Sequence, residues 1–110
     1  MQPEISKHLY DIMASIGSIE EFVSQTPNFS EFKTNRLVKR AIEREFSIIG
    51  EAVNRIKKAI PDIELENARK IIDLRNLIVH GYDKVDDAII WGVIKKHLPK
   101  LKVQVSNLMK

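Results

Sequence analysis

The sequence predicts an all-α protein, folded as an antiparallel bundle of four to five helices. Apolar residues recur every three or four positions along most of the chain, which is the spacing of one face of an α-helix. No segment alternates polar and apolar residues with the two-residue period of a strand. Proline, glycine and asparagine interrupt the pattern, so the helices can fold back on one another.

The first helix is predicted from about Pro3 to Ser24, and it ends at the break formed by residues 25–28. Its apolar stripe consists of Ile5, Leu9, Ile12, Ile16, Ile19 and Val23. A second, longer helix ends before Pro61, because proline lacks the N–H that would continue a helix. Its apolar residues are Leu37, Ala41, Ile42, Ile48, Ile49, Ala52, Val53, Ile56 and Ile60.

A third helix is expected to begin after Asp62, which can cap it, and to run to His80, just before Gly81. Arg75 falls in the middle of its apolar stripe on a helical wheel drawn at about 100° per residue. That stripe is formed by Leu65, Ala68, Ile72 and Val79, with Ile71 and Ile78 on its flank. A guanidinium in this position is costly to desolvate unless it is paired or lines a cleft.

The remaining residues predict two more helices. Asp86 or Asp87 starts a fourth helix, and Pro99 suits the first turn of a last one. Their apolar residues are Ala88, Ile89, Trp91 and Ile94 in the fourth, and Leu101, Val105 and Leu108 in the last. No repeat, low-complexity tract or Gly/Ser linker divides the chain, so we expect a single domain over residues 1–110.

The composition is that of an ordinary folded protein, with 44% hydrophobic and 30% charged residues. No apolar run approaches the roughly 20 residues that cross a bilayer, and residues 1–4 lack the features of a secretory signal. There is no cysteine for a disulfide or a thiolate metal site. We therefore expect a cytoplasmic protein with no membrane partner.

Basic residues cluster although the net charge is only +3. Residues 88–110 contain five lysines and no acidic residue. A second cluster consists of Lys33, Arg36, Lys39, Arg40 and Arg44. Such surfaces are compatible with a nucleic-acid partner through neutralisation of phosphates, and equally with ordinary solvated helix faces.

The segment from Arg75 to Tyr82 carries most of the chemistry in this chain. It places a permanent cation, a carboxamide (Asn76), an imidazole (His80) and a phenol within eight residues. Arginine is a planar, always-charged ligand for phosphate, and histidine exchanges a proton near neutral pH. Together these groups can hold a phosphodiester and move protons around it.

Each of these residues also has a purely structural interpretation. Arg75 could pack its stem on the core and pair with a carboxylate such as Glu51, or it could face a groove and bind an anion. His80 lies about 140° around a continuous helix from Arg75, so the two do not share a face unless the helix unwinds at Gly81. Two copies packed on this helix could bring both pairs of residues into one cleft. A histidine at a helix end is otherwise favoured there by the helix dipole.

Asn76 could be a surface amide or could orient a phosphate oxygen, and Tyr82 could be a packing aromatic with a solvated hydroxyl. No metal site is expected. The three histidines, His8, His80 and His97, are scattered, and the Asp86–Asp87 pair is better suited to capping a helix.

Three segments together resemble one family. Arginine, four residues, then His-Gly-Tyr at the end of a helix, with a polar residue directly after the arginine, resembles the signature of the HEPN superfamily and, within it, the HepT-like branch. Residues 48–53 resemble that branch's Ile-Gly-Glu-Ala segment in the second helix. Trp91, followed by the Leu-Pro-Lys-Leu of residues 98–101, resembles its C-terminal tryptophan and Leu-Pro-x-Leu segment. The similarity extends over nearly the whole chain in the expected order.

The resemblance implies an all-helical homodimer that pairs through the motif helix and cleaves RNA without a metal or other cofactor. It also implies the toxin of a type VII-like toxin–antitoxin pair, in an assembly with a small nucleotidyltransferase antitoxin that transfers AMP onto the motif tyrosine. Carried across residue by residue, Arg75 and His80 are catalytic, Asn76 is a supporting polar group and Tyr82 is the modified position.

Two other functions stay open on sequence grounds. The chain could be a non-enzymatic helical partner of a nucleotidyltransferase, which uses the same cleft only to hold a nucleotide or nucleic acid. It could also be a structural helical dimer in which Arg75 forms a buried ion pair. Loss of toxicity on Arg75→Ala or His80→Ala favours the nuclease, whereas loss of stability without any effect on RNA favours the structural dimer.

Overall fold

The computed structural model describes residues 2–80 and 86–110, which form six α-helices and no strand. The helices are α1 (Pro3–Ser24), α2 (Phe29–Thr34), α3 (Arg36–Ala59), α4 (Ala68–His80), α5 (Asp87–Lys96) and α6 (Leu98–Leu108). The predicted all-α class is confirmed, with one more helix than expected.

The additional helix is α2, which the sequence does not predict because six residues are too few to display an apolar period. Its N-terminus is capped by Asn28, whose side chain accepts a hydrogen bond from the backbone N–H of Glu31 at 2.9 Å. Asn35 then caps α3 by accepting from the N–H of Val38 at 2.9 Å. Two asparagine caps seven positions apart therefore separate a short helix from a long one.

The predicted start of the third helix is wrong. Asp62 caps no helix; the chain passes through turns in which the N–H of Ile63 bonds to the carbonyl of Ile60, and α4 begins only at Ala68. The start of the following helix is as predicted. The Asp86 side chain caps α5 by accepting from the N–H of Ala88 at 2.8 Å. The predicted end of the third helix at Gly81 lies outside the described residues.

Long-range polar contacts join helices that are far apart in the sequence. Glu20, near the end of α1, pairs with Lys102, near the start of α6, at 3.0 Å. The backbone N–H of Asn67, directly before α4, bonds to the Gln104 side chain on α6 at 3.3 Å. At the start of α5, Asp87 pairs with Lys39 of α3 at 3.3 Å. These contacts tie α4 and α5 to a frame formed by α1, α3 and α6.

The helices share one apolar core. All six apolar positions predicted for α1 are buried. Full burial of one such side chain stabilises the fold by roughly 1.5–3 kcal/mol. Leu37, predicted on the apolar side of α3, instead has 79% of its surface exposed. No helix in the described ranges is long and apolar enough to cross a membrane.

Candidate active site

Helix α4 carries the predicted site residues, and its rotation differs from the helical-wheel prediction. Its fully buried side chains are Ala68, Ile71 and Leu74, whereas Ile72 is only half-buried. Arg75 therefore lies at the edge of the buried stripe, beside α3, and not in its middle. The side chain of Val79 is not among those that the structure describes.

The aliphatic part of Arg75 lies on Gly50 of α3. A Cβ atom at position 50 would stand 3.4 Å from the Arg75 Cδ and 3.5 Å from its Cγ. The Nη1 atom donates a hydrogen bond to the Asn76 side-chain oxygen at 3.2 Å. The Nε atom is buried and has no hydrogen-bond partner among the described residues. The side chain as a whole is only half-buried, so the guanidinium charge is not sealed in the core and suits an anion that arrives later.

Glu51 does not pair with Arg75. It is exposed and lines a groove between α1 and α3 together with Lys7 and His8. Glu51 follows Gly50 by one residue, so its side chain projects about 100° away from the contact with Arg75. None of the ion pairs within residues 2–80 and 86–110 includes Arg75. The structural interpretation therefore lacks the partner proposed for it.

His80 is the last residue of α4, and its side chain is exposed. Because α4 is a continuous helix from Ala68 to His80, His80 stays about 140° around and about 7.5 Å along the axis from Arg75. Asn76 lies one turn before His80 on the same face, where side chains four residues apart are neighbours. Asn76 thus connects the guanidinium, which it holds, to the face that presents the imidazole.

The structure also reveals a basic cluster that the linear sequence only partly predicts. The pKa of His97, at the junction of α5 and α6, is lowered by partial burial first and then by the charges of Lys96, Lys100 and Lys70. Lys70 comes from α4, and no pattern in the sequence places it there. The cluster lies at the end of α4 that is remote from His80.

The described residues do not include the whole predicted motif. Gly81 and the proposed modified position, Tyr82, lie outside them. Within the part that the structure describes, no group of three or more histidine or acidic side chains could hold a metal ion. The described site residues are thus a half-buried cation, a carboxamide that accepts a hydrogen bond from it and an exposed imidazole at a helix end.

This small helical protein belongs to the HepT-like family. The model of that family, described as ribonuclease HepT-like, matches residues 12–108. The match includes the segment around Gly50, all of α4 and both C-terminal helices.

Curated relatives agree in length as well as in sequence. The chain is 29% identical over 106 residues to "Putative RNase MJ1380" of Methanocaldococcus jannaschii, covering 93% of this chain and 94% of that protein. It is 32% identical over 107 residues to "Probable ribonuclease HepT" of Thermococcus cleftensis, covering 94% of both. No solved structure gives a significant match.

Proposed function

We propose that this protein is a metal-independent endoribonuclease and the toxin of a toxin–antitoxin pair. The family assignment and the ribonuclease names of its relatives support the reaction class. The observation that carries the proposal is the state of Arg75, which contacts Gly50 and Asn76 but forms no ion pair among the described residues. Its positive charge therefore remains available for a phosphate of the RNA.

Each reaction centre requires two copies of the chain. Within one protomer, α4 points Arg75 towards α3 and His80 towards solvent. A two-fold axis along the outer face of α4 brings Arg75 of one copy towards His80 of the partner subunit, and the reverse contact follows by symmetry. Leu77, which is 43% exposed on this outer face, supplies apolar surface for such a contact.

The chemistry is transfer of the phosphoryl group to the neighbouring 2′-oxygen of the RNA. The 2′-hydroxyl loses its proton, its oxygen forms a bond to phosphorus, and the bond from phosphorus to the 5′-oxygen breaks as that oxygen gains a proton. His80 acts as the general base at the 2′-hydroxyl or as the general acid at the 5′-oxygen. Arg75 stabilises the negative charge that grows on the phosphorane. The products are a 2′,3′-cyclic phosphate and a 5′-hydroxyl.

Control of the toxin involves Tyr82. A small nucleotidyltransferase antitoxin, in an assembly with the toxin in the cytoplasm, transfers AMP from ATP onto the phenol oxygen of Tyr82. The phenol loses its proton, and pyrophosphate leaves as the bond between the α- and β-phosphates breaks. The added nucleotide places bulk and negative charge two residues from His80, where it competes with the RNA phosphate. The family assignment supports this part of the proposal.

Cleavage of a single-stranded RNA in excess EDTA tests the reaction class. The wild-type protein should cleave and leave 2′,3′-cyclic phosphate ends, because no step uses a metal ion, and Arg75→Ala should not cleave. Mass spectrometry of the fragments identifies the ends. Cleavage that disappears in EDTA and returns with Mg²⁺ contradicts the metal-free route, and RNA binding without cleavage indicates a binding module.

A second experiment tests the proposed regulation. Incubation with ATP and a small nucleotidyltransferase antitoxin, which is to be sought among the neighbouring genes, should add AMP to the wild-type protein and stop cleavage. Tyr82→Phe should accept no AMP and continue to cleave. A Tyr82→Phe protein that still gains AMP and is silenced by it contradicts the assignment of Tyr82.

A further inference from the structure

Three glycines lie inside helices of the described chain, and their surroundings differ. A Cβ atom placed at Gly17 of α1 or Gly92 of α5 would meet nothing within 4 Å. At Gly50 of α3 the nearest atoms all belong to one side chain, with the Cδ, Cγ and Cβ of Arg75 at 3.4, 3.5 and 3.8 Å. Of these three positions, only Gly50 is covered by a residue proposed to be catalytic.

Gly50 has no backbone role that explains a glycine. It lies within the 24-residue helix α3, far from either cap. Glycine in a helix interior destabilises the fold by roughly 0.5–1 kcal/mol relative to alanine, because the unfolded chain gains freedom. An alanine Cβ would make ordinary van der Waals contact with the Arg75 stem at 3.4 Å. A side chain with γ-carbons would occupy the space that this stem now fills.

We propose that Gly50 is a positioning residue for Arg75: the missing side chain leaves a slot on α3 that fixes where the guanidinium stands. This inference rests on the proposed function, because Gly50 acts only through Arg75. The slot receives the Cγ and Cδ atoms, the buried Nε follows them, and Asn76 accepts from Nη1 at the far end. The long arginine side chain is thereby held at both ends.

Such positioning matters because a group that stabilises a transition state must be in place before the charge develops. A free arginine side chain populates many rotamers, and ordering it during the reaction would add to the barrier. On the side of α3 the stem of Arg75 faces Gly50, which has no side chain that could move with it. A shift of about 1 Å at the guanidinium can lower the rate by roughly 100-fold.

The test is a graded series at position 50 with a matched control. Gly50→Ala should keep near-wild-type cleavage. Gly50→Val and Gly50→Leu should lower kcat by roughly 10- to 100-fold while KM changes less, because the guanidinium moves but its charge remains. Gly17→Leu is the control for leucine at a helical glycine in open space, and it should leave kcat unchanged.

A double-mutant cycle separates positioning from folding. In the Arg75→Ala background the slot is empty, so Gly50→Leu should lower the thermal unfolding temperature less than it does in the wild-type background. An equal loss of stability from Gly50→Leu in both backgrounds, or full activity of a folded Gly50→Leu protein, overturns the proposal. If Gly50→Leu alone does not fold, recovery of folding by Arg75→Ala measures the same coupling.

A third readout does not depend on RNA. The Nε–H group of Arg75 is buried, so its NMR signal, assigned by its loss in Arg75→Lys, should exchange slowly with water in the wild type and in Gly50→Ala. Gly50→Leu should make that exchange fast. Slow exchange in all three proteins contradicts the slot. If the signals change as expected but wild-type protein cleaves no RNA, the proposed function fails while the contact between Gly50 and Arg75 stands.

Discussion

Helices α1 and α4 are built on the same apolar spacing but serve different purposes. In α1 every position of the predicted stripe is filled by an aliphatic residue and is buried. In α4 only Ala68, Ile71 and Leu74 are fully buried among the described side chains, and the edge of the stripe carries Arg75. In α1 the whole predicted stripe is buried in the core, whereas in α4 a cation occupies part of the corresponding face.

This difference separates stability from activity along the chain. A cation that is partly buried lowers the stability that α4 can contribute, since its desolvation is not fully compensated. Most of the buried apolar side chains come from α1, α3 and α6, and Gly50 on α3 also provides the surface for the cation. Substitutions in α1 should therefore act on folding, and substitutions on the exposed side of α4 should act on cleavage.

The largest expected effect is that of His80→Ala. Removing a general acid or base lowers cleavage by about 10²- to 10⁴-fold, while an exposed position changes the free energy of unfolding by less than about 0.5 kcal/mol. RNA cleavage assays and chemical denaturation measure the two quantities. His8→Ala on α1 is the matched control, and an equal loss of cleavage there would break the division between the helices.

For Ile16→Ala we expect the opposite of His80→Ala, namely a loss of stability without a loss of cleavage. Ile16 is completely buried in α1, so its truncation should lower the free energy of unfolding by about 2–5 kcal/mol and leave kcat of the folded protein unchanged. Ile72→Ala on α4, at a half-buried position, should lower it by less. Denaturant titration of both variants measures the two losses of unfolding free energy. A larger loss for Ile72→Ala than for Ile16→Ala would contradict the proposed difference between α1 and α4.

A smaller loss of stability is expected from a substitution at the beginning of α5. Asp86→Ala removes the oxygen that accepts from the N–H of Ala88 and should lower the free energy of unfolding by about 0.5–2 kcal/mol. Asn28→Ala, at the cap of α2, is the matched control for loss of a cap remote from α4. Thermal unfolding at a fixed protein concentration measures both losses.

The smallest expected effect is the pH dependence of stability that arises from His97. The pKa of His97 is lowered below 6.5 by burial and by the charges of Lys96, Lys100 and Lys70. Since the unfolded chain binds this proton more readily, the contribution to stability is complete above about pH 6.5 and is lost as the pH falls through the folded pKa. Lys70→Gln should raise the pKa of His97 in an NMR titration. An unchanged pKa would show that Lys70 does not act on it.

The fold is more predictable from the sequence than the site. The stripe of α1 is confirmed at all six positions because burial of one helix face is a local pattern. The start of α4 was misplaced because Asp62 looks like a cap, whereas the chain around Pro61 forms turns that no local pattern resolves. The predicted rotation of α4 is wrong for the same reason, because the predicted stripe includes Leu65, which is buried but lies outside the helix.

The site depends on contacts between helices that the sequence does not encode locally. Arg75, Asn76 and His80 can be identified from their chemistry and spacing. The contact of Arg75 with Gly50 joins residues on different helices, and glycine shows in a sequence only as an interruption of helix propensity. Tyr82 stays a prediction, because it lies outside the described residues.

We propose that Arg75 of one subunit works with His80 of the other. The direct measurement is RNA cleavage by a purified heterodimer of an Arg75→Ala subunit and a His80→Ala subunit, isolated with two different tags. Each homodimer should be inactive, and the heterodimer should recover about half of the wild-type rate, because one of its two sites keeps both groups. A heterodimer as inactive as its parents, in a preparation whose wild-type homodimer cleaves RNA, would contradict the shared site.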